Sequence, residues 1–330
     1  MKNKFILVGK ITILLAIVFS FQACSLKVPL RSIGQSENIY VPSLEKKDIK
    51  EISFKDKLGN SPKVISGVFE KIVFLENNKK NVEAYSFISN AIKNELEARK
   101  LPIKFVEESK ESLFLKKFEI FVHRTSSYSP MVTISMLKVT ANIGNEEKIF
   151  RSVIKRGKVP IWSMDEVNDP CFNEPISLMV KEVVSKINKA YFNYKLSDEK
   201  VEELIKRIHD GEKVNDKLNY LNMYELGFSN NVKALEVVKS YNDSFDEYLR
   251  LTSIAVLGLL GGENEFSNLV AIYRNAKLWQ DRAMALKAIA DIGTERTKKF
   301  VDLEYKYWQK QDTKEGKWNS MILKLYKTKN

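Results

Sequence analysis

Histidine and cysteine are scarce in this chain, with two of each among 330 residues. His123 falls in a segment whose pattern predicts a strand, and His209 falls on a predicted helix. Neither has a second histidine or a cysteine at the spacing that zinc sites require. We therefore expect no metal and no cofactor, and we assign both histidines structural roles.

Motifs that bind phosphate or activate a nucleophile are also missing. The glycine-rich run 258–262 follows a predicted helix rather than a strand, and no Lys-Ser or Lys-Thr comes after it. No serine lies in a nucleophile-elbow sequence. We interpret the acidic residues near Trp162 as a solvated loop, with a cation site as the alternative; they are Asp165, Glu166 and Asp169. These absences favour a protein that is not an enzyme.

The most apolar run, residues 11–21, is too short to cross a membrane, because it has 11 residues and a spanning helix needs about 20. Three lysines precede it, and Ala23 and Cys24 follow its end closely. A positive start, a short apolar run and a small residue before cysteine resemble the signal peptide of bacterial lipoproteins. The resemblance implies cleavage between Ala23 and Cys24 and acylation of the Cys24 thiol and the new amino end. The alternative is an uncleaved anchor that extends back to Phe5.

An acylated Cys24 would leave Cys171 as the free thiol of the mature chain, whereas a bridge between the two cysteines would exclude acylation. Two or more acyl chains hold a protein firmly at a membrane. We therefore expect residues 25–330 to lie in the cell envelope and face the periplasm. Ser25 is compatible with transfer to the outer membrane.

Basic residues outnumber acidic ones, which gives a formal net charge of +12 that falls to +9 once residues 1–23 are removed. The charges are interspersed, as on solvated faces. Export argues against a nucleic-acid partner. Attraction to anionic lipid headgroups is the better use of the surplus.

Residues 24–61 combine turn formers with charges and lack a sustained period, so we interpret them as a tether with a short strand at 49–54. From 62 to 195 the pattern is strand, helix at 82–99, several strands with a hairpin at 144–145, and a second helix from 173–175. This order predicts an α+β sandwich, with helices on one face of an antiparallel or mixed sheet.

The same order resembles the periplasmic domain shared by curli-secretion lipoproteins, auxiliary lipoproteins of ABC transporters and the amino-terminal domain of TolB. The resemblance covers the helix at 82–99 and the Leu101-Pro102-Ile103 segment that follows it. It implies an adaptor that binds other envelope proteins.

Residues 196–330 have a helical pattern throughout and repeat themselves. Residues 250–261 match 282–293 at a displacement of 32, and the matched pairs are Arg250 and Arg282, Leu257 and Ile289, and Gly261 and Gly293. A fixed period of paired helices predicts an α-solenoid. The arginine, small residue, leucine and final glycine resemble HEAT-like repeats of the phycobilisome-lyase type. We expect Gly261 and Gly293 to adopt the left-handed conformation that ends a helix, and Gly258 to lie at a close helix contact.

Aromatic residues are concentrated near the C-terminal end, and they include Tyr305, Tyr307, Trp308 and Trp318. We interpret them as a cap over the last repeat. The alternative is partner binding, because tyrosine and tryptophan are enriched at binding hot spots.

These observations predict a membrane-anchored, non-catalytic lipoprotein that binds other envelope proteins, with the concave face of the solenoid as the leading partner surface. One alternative is an envelope enzyme, which would bring Asp165, Glu166, His123 or His209 together in one cavity. The other is an auxiliary component of a lipid or solute transport or secretion system, which would need an apolar groove in the α+β domain.

Overall fold

The computed structural model describes residues 26–42, 47–58, 63–66, 73–126, 128–144 and 146–327. The predicted signal segment 1–23 and the predicted lipid site Cys24 lie outside these residues. A mixed sheet with its helices comes first, and a helical region follows, which confirms the coarse prediction of an α+β part followed by helices. In the described part of the chain, no helix is both long enough and apolar enough to cross a membrane.

Three long strands form the centre of the main sheet: β7 (Glu111–His123), β8 (Met131–Ile143) and β9 (Glu146–Lys158). Each pairs antiparallel with the next, and Gly144 adopts a φ of +64° in the turn between β8 and β9. The sheet continues through parallel pairing of β2 (Lys50–Asp56) with β6 (Ile103–Phe105) and β7, and of β3 (Lys63–Ser66) with β7. A small second sheet joins β1 (Leu26–Pro29), β4 (Val73–Asn77) and β5 (Lys80–Asn81).

Two helices lie against the main sheet, α1 (Ala84–Ala98) and α2 (Glu174–Ile187), and they pack beside each other. The Glu83 side chain accepts hydrogen bonds from two backbone N–H groups in the first turn of α1, which satisfies donors that a helix start leaves unpaired. Pro175 lies in the first turn of α2, where its missing N–H costs nothing. A π-helical turn, Asp169–Asn173, leads directly into α2.

The tether prediction is wrong for the residues of 24–61 that the structure describes. Strand β1 pairs with β4, and β2 lies between β6 and β7 inside the main sheet. Val28, Tyr40 and Ile52 are buried. These apolar residues are widely spaced along the chain and are buried one at a time, so they produce no period that a sequence pattern would show.

The helical region contains α3 (Asp198–Lys213), α4 (Asn219–Gly227), α5 (Leu235–Ser240), α6 (Glu247–Gly261), α7 (Phe266–Asn275), α8 (Trp279–Ile292), α9 (Glu295–Trp308) and α10 (Lys314–Tyr326). Helices α4, α6, α8 and α10, which we call the inner series, pack each against the next. Helices α3, α5, α7 and α9, the outer series, each pack against the inner helix that follows.

The repeated arginines join successive inner helices. Arg250 lies 3.2 Å from the Asp281 carboxylate, and Arg282 lies 2.5 Å from that of Glu315. In both pairs the acid lies in the first turn of the next inner helix, where a carboxylate also suits the helix dipole. The equivalent positions Leu257 and Ile289 are both buried.

The repeated glycines differ in their roles. Gly293 ends α8 with a φ of +75°. The same expectation for Gly261 is wrong, because its φ is −90° and the positive φ of +62° belongs to Gly262. A 3₁₀ turn, Gly262–Glu265, is inserted before α7, which moves the left-handed residue one place along the chain.

A test of the close packing between inner helices is Gly258→Ala. A Cβ atom at residue 258 would overlap the backbone carbonyl of Ala288, and backbone has less freedom to move than a side-chain end. We expect the free energy of unfolding to fall by about 2 kcal/mol or more, as overpacked cores do. Urea unfolding measures this change. Gly34→Ala is the matched control, because no heavy atom lies within 4 Å of its added Cβ; equal effects of the two changes would contradict the packing.

Candidate functional site

The inner series packs against the α+β part of the same chain. The Tyr248 hydroxyl on α6 donates to the Gly157 carbonyl on β9, and the Lys189 ammonium donates to the Leu259 carbonyl. Arg151 Nε on β9 donates to the Leu325 carbonyl on α10 at 2.8 Å. The face of the stack that the inner series forms is therefore covered by β9 and α2. The chain itself occupies this face. The expectation that a partner binds the concave face of the solenoid stays a prediction.

Four charged residues lie buried where the two parts meet, and we call them the buried charge cluster: Glu182, Lys186, Lys287 and Asp291. Each lysine contacts both acids, and the four nitrogen to oxygen distances are between 2.6 and 2.8 Å. Glu182 and Lys186 belong to α2, whereas the other two belong to α8. Two positive and two negative groups thus join the α+β part to the helical region.

Further hydrogen bonds join the cluster to neighbouring polar groups. The Ser152 hydroxyl on β9 donates to Glu182 at 2.7 Å, and the Tyr326 hydroxyl on α10 donates to Asp291 at 2.7 Å. Lys287 also donates to the Ala255 carbonyl on α6 at 3.1 Å. The cluster therefore connects β9, α2 and three successive inner helices.

The pKa values of Lys287 and Asp291 keep both groups charged at neutral pH. Burial alone would lower the pKa of Lys287, but Asp291 and Glu182 outweigh it and the pKa is raised. Burial would raise the pKa of Asp291, but Lys186 and Lys287 lower it. Burial and the nearby Asp291 raise the pKa of Tyr326, so its hydroxyl stays a donor. This arrangement suits a structural network, since proton transfer needs a group with a pKa near neutrality.

A second buried group surrounds Arg156 on β9. Its guanidinium lies between the rings of Tyr220 and Tyr248, at 4.0 and 3.9 Å from their centroids, a favourable cation–π geometry. It also donates to Glu174 at 3.2 Å. Burial raises the pKa of nearby Cys171 to about 12. The thiol is therefore protonated at neutral pH and is a poor nucleophile.

The residues considered for an enzyme site each contact a different partner. His123 stacks edge-on against Trp318 at 5.2 Å, and burial lowers its pKa. His209 lies beside Tyr241 on the outer series. Glu166 pairs with Lys158 at 3.8 Å, and Asp169 pairs with Arg31 at 3.1 Å. Within the described ranges, no group of three or more His, Cys, Asp or Glu side chains could hold a metal ion.

The predicted aromatic residues of the C-terminal end divide into two sets. Trp308 and Trp318 are largely buried: Trp308 Nε1 donates to the Tyr273 hydroxyl at 3.0 Å, and Trp318 packs on Trp279. Tyr307 keeps about half of its surface exposed, with 52% accessible. Of the four, the two tryptophans offer little surface to a partner.

A groove of about 480 Å³ runs between α9 and α10, and we call it the terminal groove. Tyr305, Trp308 and Met321 supply its apolar lining, and its lysines are Lys310, Lys317 and Lys324. Lys317 has an exposed partner in Asp312 at 3.3 Å. Lys310 and Lys324 form no ion pair with the described residues. The terminal groove therefore combines an apolar floor with a positive rim.

The buried charge cluster and the Arg156 group were not predicted from the sequence. One signal was present, because Lys287 lies among apolar and small residues in the middle of α8 and Asp291 follows four residues later. A lysine there is buried only when it is paired. Its partner Glu182 is 105 residues away, and no local pattern identifies it.

The chain matches no family model, no curated protein and no solved structure. The resemblances to lipoproteins, to periplasmic adaptor domains and to HEAT-like repeats therefore rest on the residues given above.

Proposed function

We propose that this chain is a non-catalytic lipoprotein of the cell envelope, held by acyl chains on Cys24 and facing the periplasm, that binds another envelope protein through the terminal groove. Its helical region is a short HEAT-like solenoid whose inner side is bound to its own α+β domain. The proposal joins the signal sequence before Cys24 with the surface that the helices leave open.

One observation carries the proposal: the buried charges near the inner series are paired within the chain, whereas the terminal groove keeps a positive rim around an apolar floor. Glu182 and Asp291 are paired with the two lysines of the buried charge cluster. Trp318 is buried against Trp279, whereas Trp308 belongs to the apolar lining of the groove. Among the described residues, α9 and α10 are the last helix pair, and the described chain places no helix over the groove between them. In a repeat stack, that is the position of the next repeat.

The lining of the groove indicates the kind of partner. Tyr305 and Met321 offer apolar contacts, and methionine adapts easily to different shapes. Lys310, Lys317 and Lys324 favour negative charge nearby. An amphipathic helix with an apolar stripe and acidic flanks fits both features, as in other helix-in-groove complexes.

Photocrosslinking in intact cells tests the partner surface. A photoreactive amino acid at Met321 is expected to give covalent adducts with a defined envelope protein. Because the rim charges steer and hold an acidic partner, the triple change Lys310→Glu, Lys317→Glu and Lys324→Glu is expected to reduce adduct yield about tenfold or more. The matched control reverses three exposed lysines on α3, namely Lys200, Lys206 and Lys213, and should keep the yield.

Deleting the helical region is a poorer test of the same idea. The deletion would remove Lys287 and Asp291 and leave Glu182 and Lys186 exposed, so loss of binding could reflect unfolding. Point changes on the groove rim avoid this problem, because these lysines are exposed. Equal adduct yields from the rim variant and the α3 control would remove the groove from its proposed role.

Mass spectrometry of the mature amino end tests the anchor. We expect a chain that begins at Cys24 and carries acyl groups. A purified protein that begins at Met1 and carries no fatty acid would contradict the proposed localisation.

A further inference from the structure

Exposed apolar side chains are concentrated at one end of the molecule, which we call the upper end. Here β8 begins and β9 ends, since Met131 pairs with Lys158, and α6 begins beside them, since Tyr248 contacts Gly157. The large apolar side chains exposed at this end are Tyr128, Val159, Trp162 and Phe245. Leu278, which precedes α8, is exposed as well.

The exposure of the three aromatic residues is nearly complete. Tyr128 is 95% accessible, Trp162 is 84% accessible, and Phe245 is fully accessible. They lie in three separate loops: the β7–β8 hairpin, the segment after β9, and the segment before α6. Single exposed apolar residues are ordinary, but a group at one end of a molecule indicates an interaction surface. Tyrosine and tryptophan are the residues most typical of the membrane–water boundary.

The first described strand approaches the same end. The Pro29 carbonyl accepts from Asn173, and Arg31 pairs with Asp169 at 3.1 Å, both just before α2. The chain then descends along α2 until Val41 pairs with Lys195, beyond the other end of that helix. The segment around Pro29 therefore lies beside the start of α2, at the upper end.

Little chain separates the predicted lipid site from this strand. β1 begins at Leu26, two residues after Cys24, and two residues span at most about 7 Å. An acyl group on Cys24 would therefore hold β1 directly against the membrane surface. With β1 so near the lipid, the neighbouring upper end cannot stand far from it.

We propose that the upper end rests on the phospholipid bilayer, with Tyr128, Trp162 and Phe245 inserted among the headgroups. This inference rests on the proposed lipid anchor at Cys24 and adds an orientation to it. Lys310 lies in the loop between α9 and α10, whereas Met321 and Lys324 lie further along α10, and the terminal groove stays accessible along this part of the helix. A second copy of this chain or a partner protein on the upper end is a competing outcome of the test.

Vesicle binding tests this orientation without the anchor. The probe is the mature chain with Cys24→Ser, which carries no lipid, and the vesicles contain phosphatidylethanolamine and phosphatidylglycerol in a ratio of about three to one. Combined Tyr128→Ser, Trp162→Ser and Phe245→Ser changes are expected to weaken vesicle binding about tenfold or more, since three aromatic side chains lose their burial. The control changes Ile39, Ile49 and Val232 to serine; these exposed apolar residues lie away from the upper end, and binding should stay within about twofold.

Trp162 also reports its own depth. The other three tryptophans are shielded to a greater degree than Trp162, so brominated lipids should quench mainly its emission, and Trp162→Phe should remove that quenching. Unquenched Trp162 together with unchanged binding of the triple serine variant would overturn the inference. It would also fall if the triple change instead converts a dimer into a monomer in sedimentation.

The inference and the proposed function fail in different ways. An acylated Cys24 with groove adducts but an unquenched Trp162 would overturn the orientation and keep the proposed function. A chain that begins at Met1 without fatty acid would overturn the proposed anchor, and the orientation that rests on it would fall too.

Discussion

Lys287→Met is expected to lower the free energy of unfolding by about 3–5 kcal/mol, because it leaves buried acids without a cation that they need. Lys287 is fully buried and lies 2.6 Å from Glu182 and 2.8 Å from Asp291. Methionine fills a similar volume, so a cavity contributes little to the loss. The remaining cation, Lys186, would face two carboxylates. Urea unfolding at neutral pH measures the change.

An exposed ion pair of the same type provides the control. Lys298 lies 2.7 Å from Glu295 in the first turn of α9, and both side chains are exposed. Such pairs are worth little because water screens them, so Lys298→Met should leave the unfolding midpoint where it is. A similar loss of unfolding free energy in Lys287→Met and Lys298→Met would show that the buried charge cluster stabilises the fold no more than an exposed ion pair does.

The dependence on pH follows from the directions of the pKa shifts. The pKa of Asp291 is lowered from its ordinary value of 3.8, so its contribution is present above that value and is lost as the pH falls through the lowered pKa. The pKa of Lys287 is raised from 10.5, so its contribution is present below that value and is lost as the pH rises through the raised pKa. The difference in the free energy of unfolding between wild type and Lys287→Met should therefore be largest at pH values between the pKa values of Asp291 and Lys287. It should become smaller in acid.

Arg99→Met is expected to have an effect of similar size, about 3–5 kcal/mol, at a different junction. Arg99 is buried, with Glu95 at 2.9 Å and Glu225 at 2.6 Å. It also donates to the Asn38 carbonyl at 2.8 Å. The residue thus holds together α1, α4 and the segment between β1 and β2. Methionine leaves Glu95 and Glu225 without their cation, and it removes the guanidinium donor from the Asn38 carbonyl.

Acid conditions distinguish a lost charge pair from a packing defect at Arg99. Burial would raise the pKa of Glu225, but Arg99 outweighs it and the pKa lies below its ordinary 4.5. In the wild type this contribution is lost as the pH falls through the lowered pKa. In Arg99→Met the unpaired acids take up protons at higher pH and lose their unfavourable charge. The difference in the free energy of unfolding between wild type and Arg99→Met should therefore be smaller at pH 4 than at pH 7.

Unfolding at both pH values tests this expectation, with Arg207→Met as the control. Arg207 pairs with Glu203 on the exposed side of α3, and half of its side chain is accessible. That change should leave the midpoint unaltered at either pH. If the difference in the free energy of unfolding between wild type and Arg99→Met is the same at both pH values, the variant has lost packing rather than a charge pair.

Local patterns predict the parts of this fold that repeat at short range. The spacing of Ile88, Ile92 and Leu96 in α1 is visible because the three residues share one buried face of the helix. The matched segments 250–261 and 282–293 both form inner helices, α6 and α8. In each case the contacts that determine the element lie within or next to it.

Long-range contacts explain what the sequence did not show. The hydroxyl of buried Tyr40 donates to the Phe228 carbonyl, 188 residues away. The sequence around residue 40 does not indicate this partner. The same applies to Ser36, whose backbone N–H donates to buried Glu95. The cover over the inner series could not be predicted for a related reason. A helical period shows which face is apolar, but it does not show whether the same chain supplies the cover.

The contact between β9 and α10 joins the α+β part to the far end of the inner series. Arg151 reaches the Leu325 carbonyl, and Tyr326 reaches Asp291, so both interactions are made by the final residues of α10. A chain shortened by a dozen residues at this end would leave Arg151 on β9 without the Leu325 carbonyl and Asp291 without the Tyr326 hydroxyl. The contact between β9 and α10 would then be lost, and with it one of the junctions between the α+β part and the inner series.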